Sequence, residues 1–470
     1  MSLILRASIL LAFIALIAEP SALAGGPSLL IGATEDAPRS ATLTVSKAQM
    51  DLLVAAGFRA VRITQEWAPG QTEIGATGKQ VLGNVAAAAK LDAVTVVCVV
   101  TNHGSATTPL SVQDQADFAS YAASVAEAEP SFRLFVVGNE PNLNRYWLPQ
   151  FNADGSDAAA PAYESLLAQT YDALKAVSPG ITVIGGALAP RGADNPAGSR
   201  PTHSPTTFIH DIGQALRDSG RTAPFMDAFD MHPYEDNSSI APVAGTHPNS
   251  TTIALADYDK LVASLGEAFG RYDLPIWYDE FGVETQIPAE WQHQYTGTEP
   301  VATVKPVDEK TQASYYRQAV QLAFCQPNVR ALMLFHTIDE AGLAAWQSGL
   351  YYAGSTTAKS SLAPTRLAME QSRRGVVAHC DGLELPVTPR VKQAGARLTL
   401  TCALDCTYVA QLYRGAKLLG GVHGRATGAV PKTLSLRVPA AKRSYRLRVT
   451  GVNPINPAPS VPRFVAVRHG

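Results

Sequence analysis

Charge is scarce in this chain. Only 17% of its 470 residues are Asp, Glu, Lys or Arg, and 38 Lys+Arg nearly balance 40 Asp+Glu, a formal net charge of −2. A uniformly basic nucleic-acid binder is thereby excluded, because nothing in the total would draw in a phosphate backbone. The low charge does not signal disorder, since 46% of the residues are hydrophobic, enough for a large core spread over two or three domains. Long apolar runs are also lacking. None reaches the roughly 18 residues that a membrane helix needs, so no integral membrane span is expected. Cofactor signatures are missing as well: there is no H-E-x-x-H, no C-x-x-C and no H-x-H pair after the first strand, and the stretch IGATE at 31–35 is not G-x-G-x-x-G. These absences argue against a metal-dependent hydrolase and against a dinucleotide-binding open sheet.

Cysteine is sparse at five residues. Cys98 lies inside an apolar run and reads as a buried, unpaired strand residue. Cys325, Cys380, Cys402 and Cys406 allow three pairings. We expect Cys325 with Cys380 and Cys402 with Cys406, in an oxidising compartment; buried free thiols are the alternative. The N-terminus agrees with export. Residues 1–6 carry one positive charge, 8–18 are nearly all apolar, and Ala22-Leu23-Ala24 is a small-residue cleavage site. Residues 1–24 therefore read as a secretory signal peptide, which implies a secreted or extracellular protein, with association to the cell envelope left open.

What the chain does have is alternation. Strand-length apolar runs at 28–33, 60–64, 94–101, 134–138, 182–187, 228–232, 276–280 and 331–336 are separated by helical patterns. Those helices include 83–91, 113–128, 162–176, 207–217, 258–269 and 312–324, with a last one at 364–373. Eight such units over this length fit a (β/α)8 TIM barrel, and near-continuous apolar strands suit a sheet buried on both faces. From about 380 the pattern changes to short alternating runs divided by Gly, Pro and Asn, namely 398–402, 408–413, 433–438, 445–449 and 464–467. That is the signature of a small antiparallel, Ig-like β-sandwich. The expected domains are thus a barrel over 25–379 and an accessory sandwich over 380–470.

In such a barrel the reactive groups project from the C-terminal ends of the strands. Those ends carry Arg62 and Trp67, Asn102 and His103, Asn139 and Glu140, His232 and Tyr234, Asp279 and Glu280, and His336 with Asp339 and Glu340. Glu140 follows the fourth strand and Glu280 ends the seventh, so closure of the barrel lets the two carboxyl groups face each other. Glycoside hydrolysis needs such a pair, one to protonate the departing oxygen and one to attack or stabilise the anomeric carbon.

The motifs G-N-E-P-N at 138–142, H-P-Y at 232–234 and Y-D-E-F-G at 278–282 resemble those of clan A glycoside hydrolases. These are retaining (β/α)8 enzymes with glutamates after strands four and seven, and the likeness is nearest to family 5 or family 39. The resemblance implies Glu140 as acid/base and Glu280 as nucleophile. It implies that Asn139 binds the sugar 2-hydroxyl, that Tyr234 and Arg62 hold the nucleophile, and that His103 and His232 support the site. Trp346 would be the aromatic platform under the sugar, with Trp67 and Trp147 as further platform candidates and Trp277 as core. Glu284 is a nearby competitor for the nucleophile. The loops 147–161, 192–205, 237–250 and 285–307 would wall the cleft.

The expected activity is therefore that of a secreted retaining O-glycosyl hydrolase. It would cleave β-linked bonds of a polysaccharide, oligosaccharide or glycoside by double displacement, with no metal or organic cofactor. The alternative is a catalytically silent, secreted carbohydrate-binding barrel. The net charge, finally, is a cancellation: residues 25–380 carry 23 Lys+Arg against 36 Asp+Glu, whereas residues 381–470 carry 14 against 3. The basic segment is either a solvated surface, a face that docks on the acidic barrel, or a contact to an anionic envelope or polysaccharide surface.

Overall fold

The computed structural model describes residues 25–297, 302–377, 389–402, 406–427, 430–436, 438–439, 444–452 and 463–467. The expected signal peptide and the expected domain boundary at 379/380 lie outside these residues. Eight strands form a closed barrel: β1 (Leu30–Thr34), β2 (Ala60–Trp67), β3 (Thr95–Asn102), β4 (Leu134–Val137), β5 (Thr182–Leu188), β6 (Ala228–Met231), β7 (Ile276–Phe281) and β8 (Val329–Phe335). All pair in parallel in chain order, and β8 returns to β1 with Leu30 opposite Ala331 and Thr34 opposite Phe335. The helices are α1 (Leu43–Ala56), α2 (Ala76–Asp92), α3 (Val112–Ala128), α4 (Ala159–Val177), α5 (Pro205–Asp218), α6 (Tyr258–Phe269), α7 (Glu309–Cys325) and α8 (Leu362–Arg373). The fold is the expected (β/α)8 barrel.

Two helices differ from the expected pattern. α1 was not among the expected helices. It buries Ser46, Met50, Leu53 and Ala56 on one face, but the exposure of Leu43 and Val45 on its first turn blurs the amphipathic signal. α2 starts at Ala76 rather than near 83, because Gly75 sits at its N-cap and Gly78 and Gly83 lie within it. In sequence these glycines look like punctuation.

Strand alternation sorts the side chains. One parity fills the barrel interior with Ala60, Val97, Val99, Val136, Ile184, Ala228, Trp277, Ala331 and Met333. The other, including Val61, Ile63, Cys98, Phe135, Phe229 and Tyr278, packs with the helices. Cys98 is a buried free thiol, as expected. Two residues further along β2, β6 and β7, the interior parity reaches Arg62, Asp230 and Asp279. All three are buried. The barrel interior therefore turns from apolar to charged in a single layer at its C-terminal end.

The C-terminal segment forms two antiparallel sheets. β9 (Arg390–Ala394), β10 (Arg397–Thr401) and β13 (Lys432–Thr433) make one, and β11 (Cys406–Arg414), β12 (Lys417–Ala426), β14 (Tyr445–Val452) and β15 (Arg463–Val467) make the other in the order β12-β11-β14-β15. Leu398 and Leu400 share a core with Ala410, Leu412, Leu447 and Val449, so the sheets face each other as in a sandwich. β9 and β12 were not expected; β12 contains Gly420, Gly421 and Gly424, which in sequence read as turn residues. The Cys402–Cys406 disulfide links β10 to β11. Cys325 is disulfide-bonded, and Cys380, its expected partner, lies outside the described residues. No helix among the described residues is long and apolar enough to cross a membrane.

Gly32 on β1 tests the packing of the interior. A Cβ there would sit 2.4 Å from both the Ala60 carbonyl oxygen and the Met333 sulfur. Gly32→Ala should therefore lower barrel stability by about 1–3 kcal/mol through overpacking. Denaturant unfolding monitored by tryptophan fluorescence checks this, and an unchanged midpoint would mean that the interior has room to spare.

Candidate functional site

Glu140 is presented by a strained turn. After β4, Gly138 has φ +85° and Glu140 has φ +43°. At Gly138 only glycine fits without cost, since a Cβ would also lie 3.0 Å from the Tyr163 ring. Glu140 has no such freedom, and its left-handed backbone has to be imposed by its surroundings. Its N–H donates to the Ala187 carbonyl at 2.8 Å. The fully buried Asn142 amide accepts from the Ala189 N–H at 3.0 Å and donates to the carbonyls of Ala189 and His203 at 3.1 and 3.0 Å. The G-N-E-P-N motif is thus a turn clamped to the end of β5 and the loop that follows it.

β7 supplies the second carboxyl group. Its register with β8 shifts between Tyr278 and Phe281, an irregularity of the kind that re-aims side chains beside functional sites. Consecutive residues then serve different levels: Asp279 stays in the buried charged layer, while Glu280 reaches the mouth with its side chain 12% exposed. Arg62 bridges them. Its Nε lies 3.1 Å from Asp279 Oδ2 and its Nη2 lies 3.2 Å from Glu280 Oε1; Nη2 also donates to Asn139 Oδ1 at 2.8 Å. His232, fully buried, places Nε2 2.7 Å from Asp279 Oδ1 and Nδ1 3.1 Å from Glu140 Oε1. The Tyr234 hydroxyl donates to Glu280 Oε2 at 3.1 Å. One oxygen of Glu140, one of Glu280 and a ring nitrogen of His232 all lie within 4.8 Å of one another.

Burial and charge compete throughout this cluster. Burial opposes the charge on Arg62, but Asp279 and Glu280 outweigh it and raise the guanidinium pKa. The same balance holds at His232: burial disfavours the imidazolium, and the charges of Glu280 and Asp279 raise its pKa well above the ordinary value. Burial would push Asp279 up, yet Arg62 and His232 hold its carboxyl well below the usual carboxylate range. Asp230, which accepts the Asp279 N–H at 3.1 Å, goes the other way. Burial and the charge of Asp279 push it far up, so it is the neutral acid of the pair. Glu280 is raised by burial, against the downward pull of His232 and Arg62.

A cavity of about 670 Å³ opens above the cluster, lined by Glu140, Glu280, Tyr234, Trp346, Tyr146 and Glu284, among others. Trp346 is half-buried, with its ring centroid 5.1 Å from that of Tyr234. Glu284 is buried on the cavity wall, and burial pushes its carboxyl up to about 7. The segments 236–240 and 303–304 also line the wall, whereas no residue of the expected loops 147–161 and 192–205 does so.

Of the expected site residues, Arg62, Asn139, Glu140, His232, Tyr234, Glu280 and Trp346 come together here. His103 does not. It is turned outward with its side chain 74% exposed and paired with Glu66 at 2.9 Å, while the adjacent Asn102, on the helix-facing parity of β3 with Cys98 and Val100, is buried and donates to the carbonyls of Gly104 and Tyr146. Trp67 and Trp147 are core residues rather than platforms, at 0% and 1% exposed, and Trp277 is core as expected. Asp230 went unnoticed in sequence. Its position two residues before His232 on a barrel strand was the available signal, since the two share one face.

Among the described residues, three groups of side chains have donor atoms close enough to hold a cation: Glu140–His232–Glu280, Asp230–His232–Asp279 and Asp157–His203–Asp211. In the first two, Arg62 and His232 already meet the negative charge, so ion pairing accounts for the grouping. In the third, Asp157 Oδ1 accepts the N–H groups of Ala159 and Ala160 at 2.7 and 2.9 Å, at the start of α4.

No protein-family model and no curated protein matches the chain. Among solved structures, the chain is similar to GH5_18 from Streptomyces cattleya in complex with GlcNAc, with a TM-score of 0.51 at 16% identity, over 77% of this chain and 83% of that one. A GH39 enzyme from Xanthomonas axonopodis pv. citri matches with a TM-score of 0.46 at 15% identity, over 88% of this chain and 94% of that one. The β-glucuronidase 2 of Bacteroides uniformis matches with a TM-score of 0.47 at 11% identity, over 94% of this chain and 46% of that one. The chain thus spans about half the length of that glucuronidase. At the level of fold, the barrel and the clan A resemblance agree.

The charged layer predicts a pH-dependent cost for losing Asp279. Asp279→Asn leaves Arg62 and His232 short of a buried counter-ion and should lower stability by about 3–5 kcal/mol. The contribution of Asp279, whose pKa is lowered, is fully present above its ordinary value of about 3.9 and fades as the pH falls through its folded value. That of His232, whose pKa is raised, is fully present below about 6.5 and fades as the pH rises through its folded value. The gap between wild type and variant, read from unfolding midpoints, should be widest at about pH 4–6.5 and narrow on both sides. A gap that does not vary with pH would contradict this charge assignment.

Proposed function

We propose that the chain is a secreted, retaining O-glycoside hydrolase that cleaves β-linked glycosides by double displacement. The observation that carries this reading is the separation of the two carboxyl groups, with one oxygen of Glu140 and one of Glu280 within 4.8 Å of each other at the barrel mouth. That close approach favours a retaining pair, whose carboxyl groups stand about 5–5.5 Å apart, over an inverting pair at roughly 6.5–9.5 Å. Secretion is read from residues 1–24 alone.

Each side chain then has a task. Arg62 and Tyr234 hold one oxygen each of Glu280, fixing the carboxylate that attacks the anomeric carbon. Glu140 gives its proton to the glycosidic oxygen as the carbon–oxygen bond breaks, and the aglycone leaves as an alcohol. Water next attacks the same carbon and passes its proton to Glu140, and the ester to Glu280 breaks to restore both groups. The oxygen of Asn139 is held by Arg62, so its amide nitrogen is the donor offered to the sugar 2-hydroxyl. Trp346 offers an aromatic face to the sugar ring.

Glu140→Gln and Glu280→Gln should each lower kcat/KM on aryl β-glycosides by at least about 10³-fold without loss of fold. NMR of the first-formed product should show the β-anomer. The acid limb of the kcat/KM profile should lie above the ordinary Glu value of about 4.3, because burial raises Glu280. The α-anomer appearing first, or either variant retaining full activity, would overturn the mechanism. A folded wild-type protein inert on a broad glycan panel would favour the silent carbohydrate-binding barrel.

A further inference from the structure

The solvent face of the four-stranded sheet is built unlike the rest of the molecule. Along β11 and β14 one parity, including Tyr408, Leu412, Tyr445 and Leu447, is buried in the sandwich core. The opposite parity turns outward and places Tyr413 opposite Arg446, which belongs to the central strand β14; two residues on, Arg448 lies opposite Phe464 of β15. On the other side of β11, β12 adds the exposed His423 and Arg425. Phe464 is 58% exposed, and the Arg446 guanidinium lies 5.4 Å from its ring centroid.

No carboxylate answers these cations from within the sheets. β9 to β15 contain no Asp or Glu, and the three acidic residues of 381–470, Asp381, Glu384 and Asp405, lie outside the described residues. An arrangement meant only for solubility would intersperse the two signs. Here one sign is collected on an open sheet next to the exposed ring of Phe464 and the half-buried ring of Tyr413.

We infer that this face binds a polysaccharide bearing uronate carboxylates. The inference rests on the proposed glycosidase activity for its choice of a glycan, and on the face itself for the anion. A uronate chain presents both things these side chains take: a planar carboxylate for the guanidinium fork, and the apolar face of a pyranose for Phe464 and Tyr413. A nucleic-acid duplex offers phosphates but keeps its base faces stacked inside. Same-face neighbours on a strand stand about 7 Å apart and adjacent strands about 4.8 Å apart, so the arginines form a flat array along which an extended polymer lies. The face holds the enzyme on its polymer while the barrel cleft works.

The test uses the full chain carrying Glu280→Gln, so that binding is read without cleavage, with polygalacturonate as the probe and neutral dextran as the control. Polygalacturonate should bind and dextran should not, and binding should weaken as salt rises. The Arg446→Ala/Arg448→Ala double variant should lose about tenfold in affinity, the equivalent of two exposed ion pairs, and Phe464→Ala somewhat less. With Glu280 intact, the same double variant should hydrolyse aryl glycosides as the wild type does. Salt-independent binding, equal binding of dextran, unchanged affinity in the double variant, or tighter binding to duplex DNA or phosphatidylserine vesicles would overturn the inference. The two readings fail separately. A chain that hydrolyses aryl glycosides but ignores polygalacturonate loses the docking face alone, and one that binds without hydrolysing loses the activity alone.

Discussion

The buried pair of Arg62 and Asp279 is the interaction on which the upper half of the barrel depends. A carboxylate carried into an apolar interior alone would sooner take up a proton than stay charged. Arg62 removes that option for Asp279 and, through Nη2, also reaches Glu280 and Asn139. His232 does the same from the far side, between Asp279 and Glu140. Asp230 fits into the same space because it stays neutral. The participants come from β2, β4, β6 and β7, and no two of these strands are hydrogen-bonded neighbours except β6 and β7. The charge balance therefore exists only when the barrel is closed, and the site is a consequence of closure rather than of any local segment.

Much of this was legible in the sequence for a specific reason. Parallel strands buried on both faces leave continuous apolar runs, so polar residues at their ends stand out. Arg62, Asn139, Glu140, His232, Tyr234 and Glu280 were all found that way. What failed were inferences needing direction rather than position. His103 and Asn102 are adjacent and both polar, but Asn102 is buried with hydrogen bonds to the Gly104 and Tyr146 carbonyls, whereas His103 lies beyond the strand end and is exposed. Trp67 and Trp147 sit near the cleft in sequence and in the core in space. Asp230 was hidden because a lone acid within an apolar run reads as a strand residue, until its parity with His232 is counted. β12 was hidden by its three glycines, which the cross-strand partners on β11 accommodate without a turn.

The near-zero net charge conceals two different electrostatic designs. In the barrel the carboxylates of the site share two buried cations, Arg62 and His232, and Asp230 beside them stays neutral. In the sandwich the cations are collected on exposed strands that hold no acid at all. The first arrangement is little affected by salt, because the charges lie inside a low-dielectric shell; the second is fully screened by it. A single net figure averages over both and describes neither.

The charged layer also has a thermodynamic implication. A buried ion pair is weak evidence for stability, since well-packed apolar side chains of similar volume often hold a fold as well or better. The layers beneath show that this barrel can be filled that way, with Val97, Val99, Val136 and Ile184. Replacing that packing by Arg62, Asp230, His232 and Asp279 brings desolvation costs that the fold alone does not require. The same holds for Glu140, kept in a left-handed backbone by clamps from the neighbouring loop. Costs of this kind concentrate where side chains must be held in one geometry and one protonation state before a ligand arrives. The position of the layer, directly under the two glutamates that share His232, is what ties its persistence to chemistry rather than to folding.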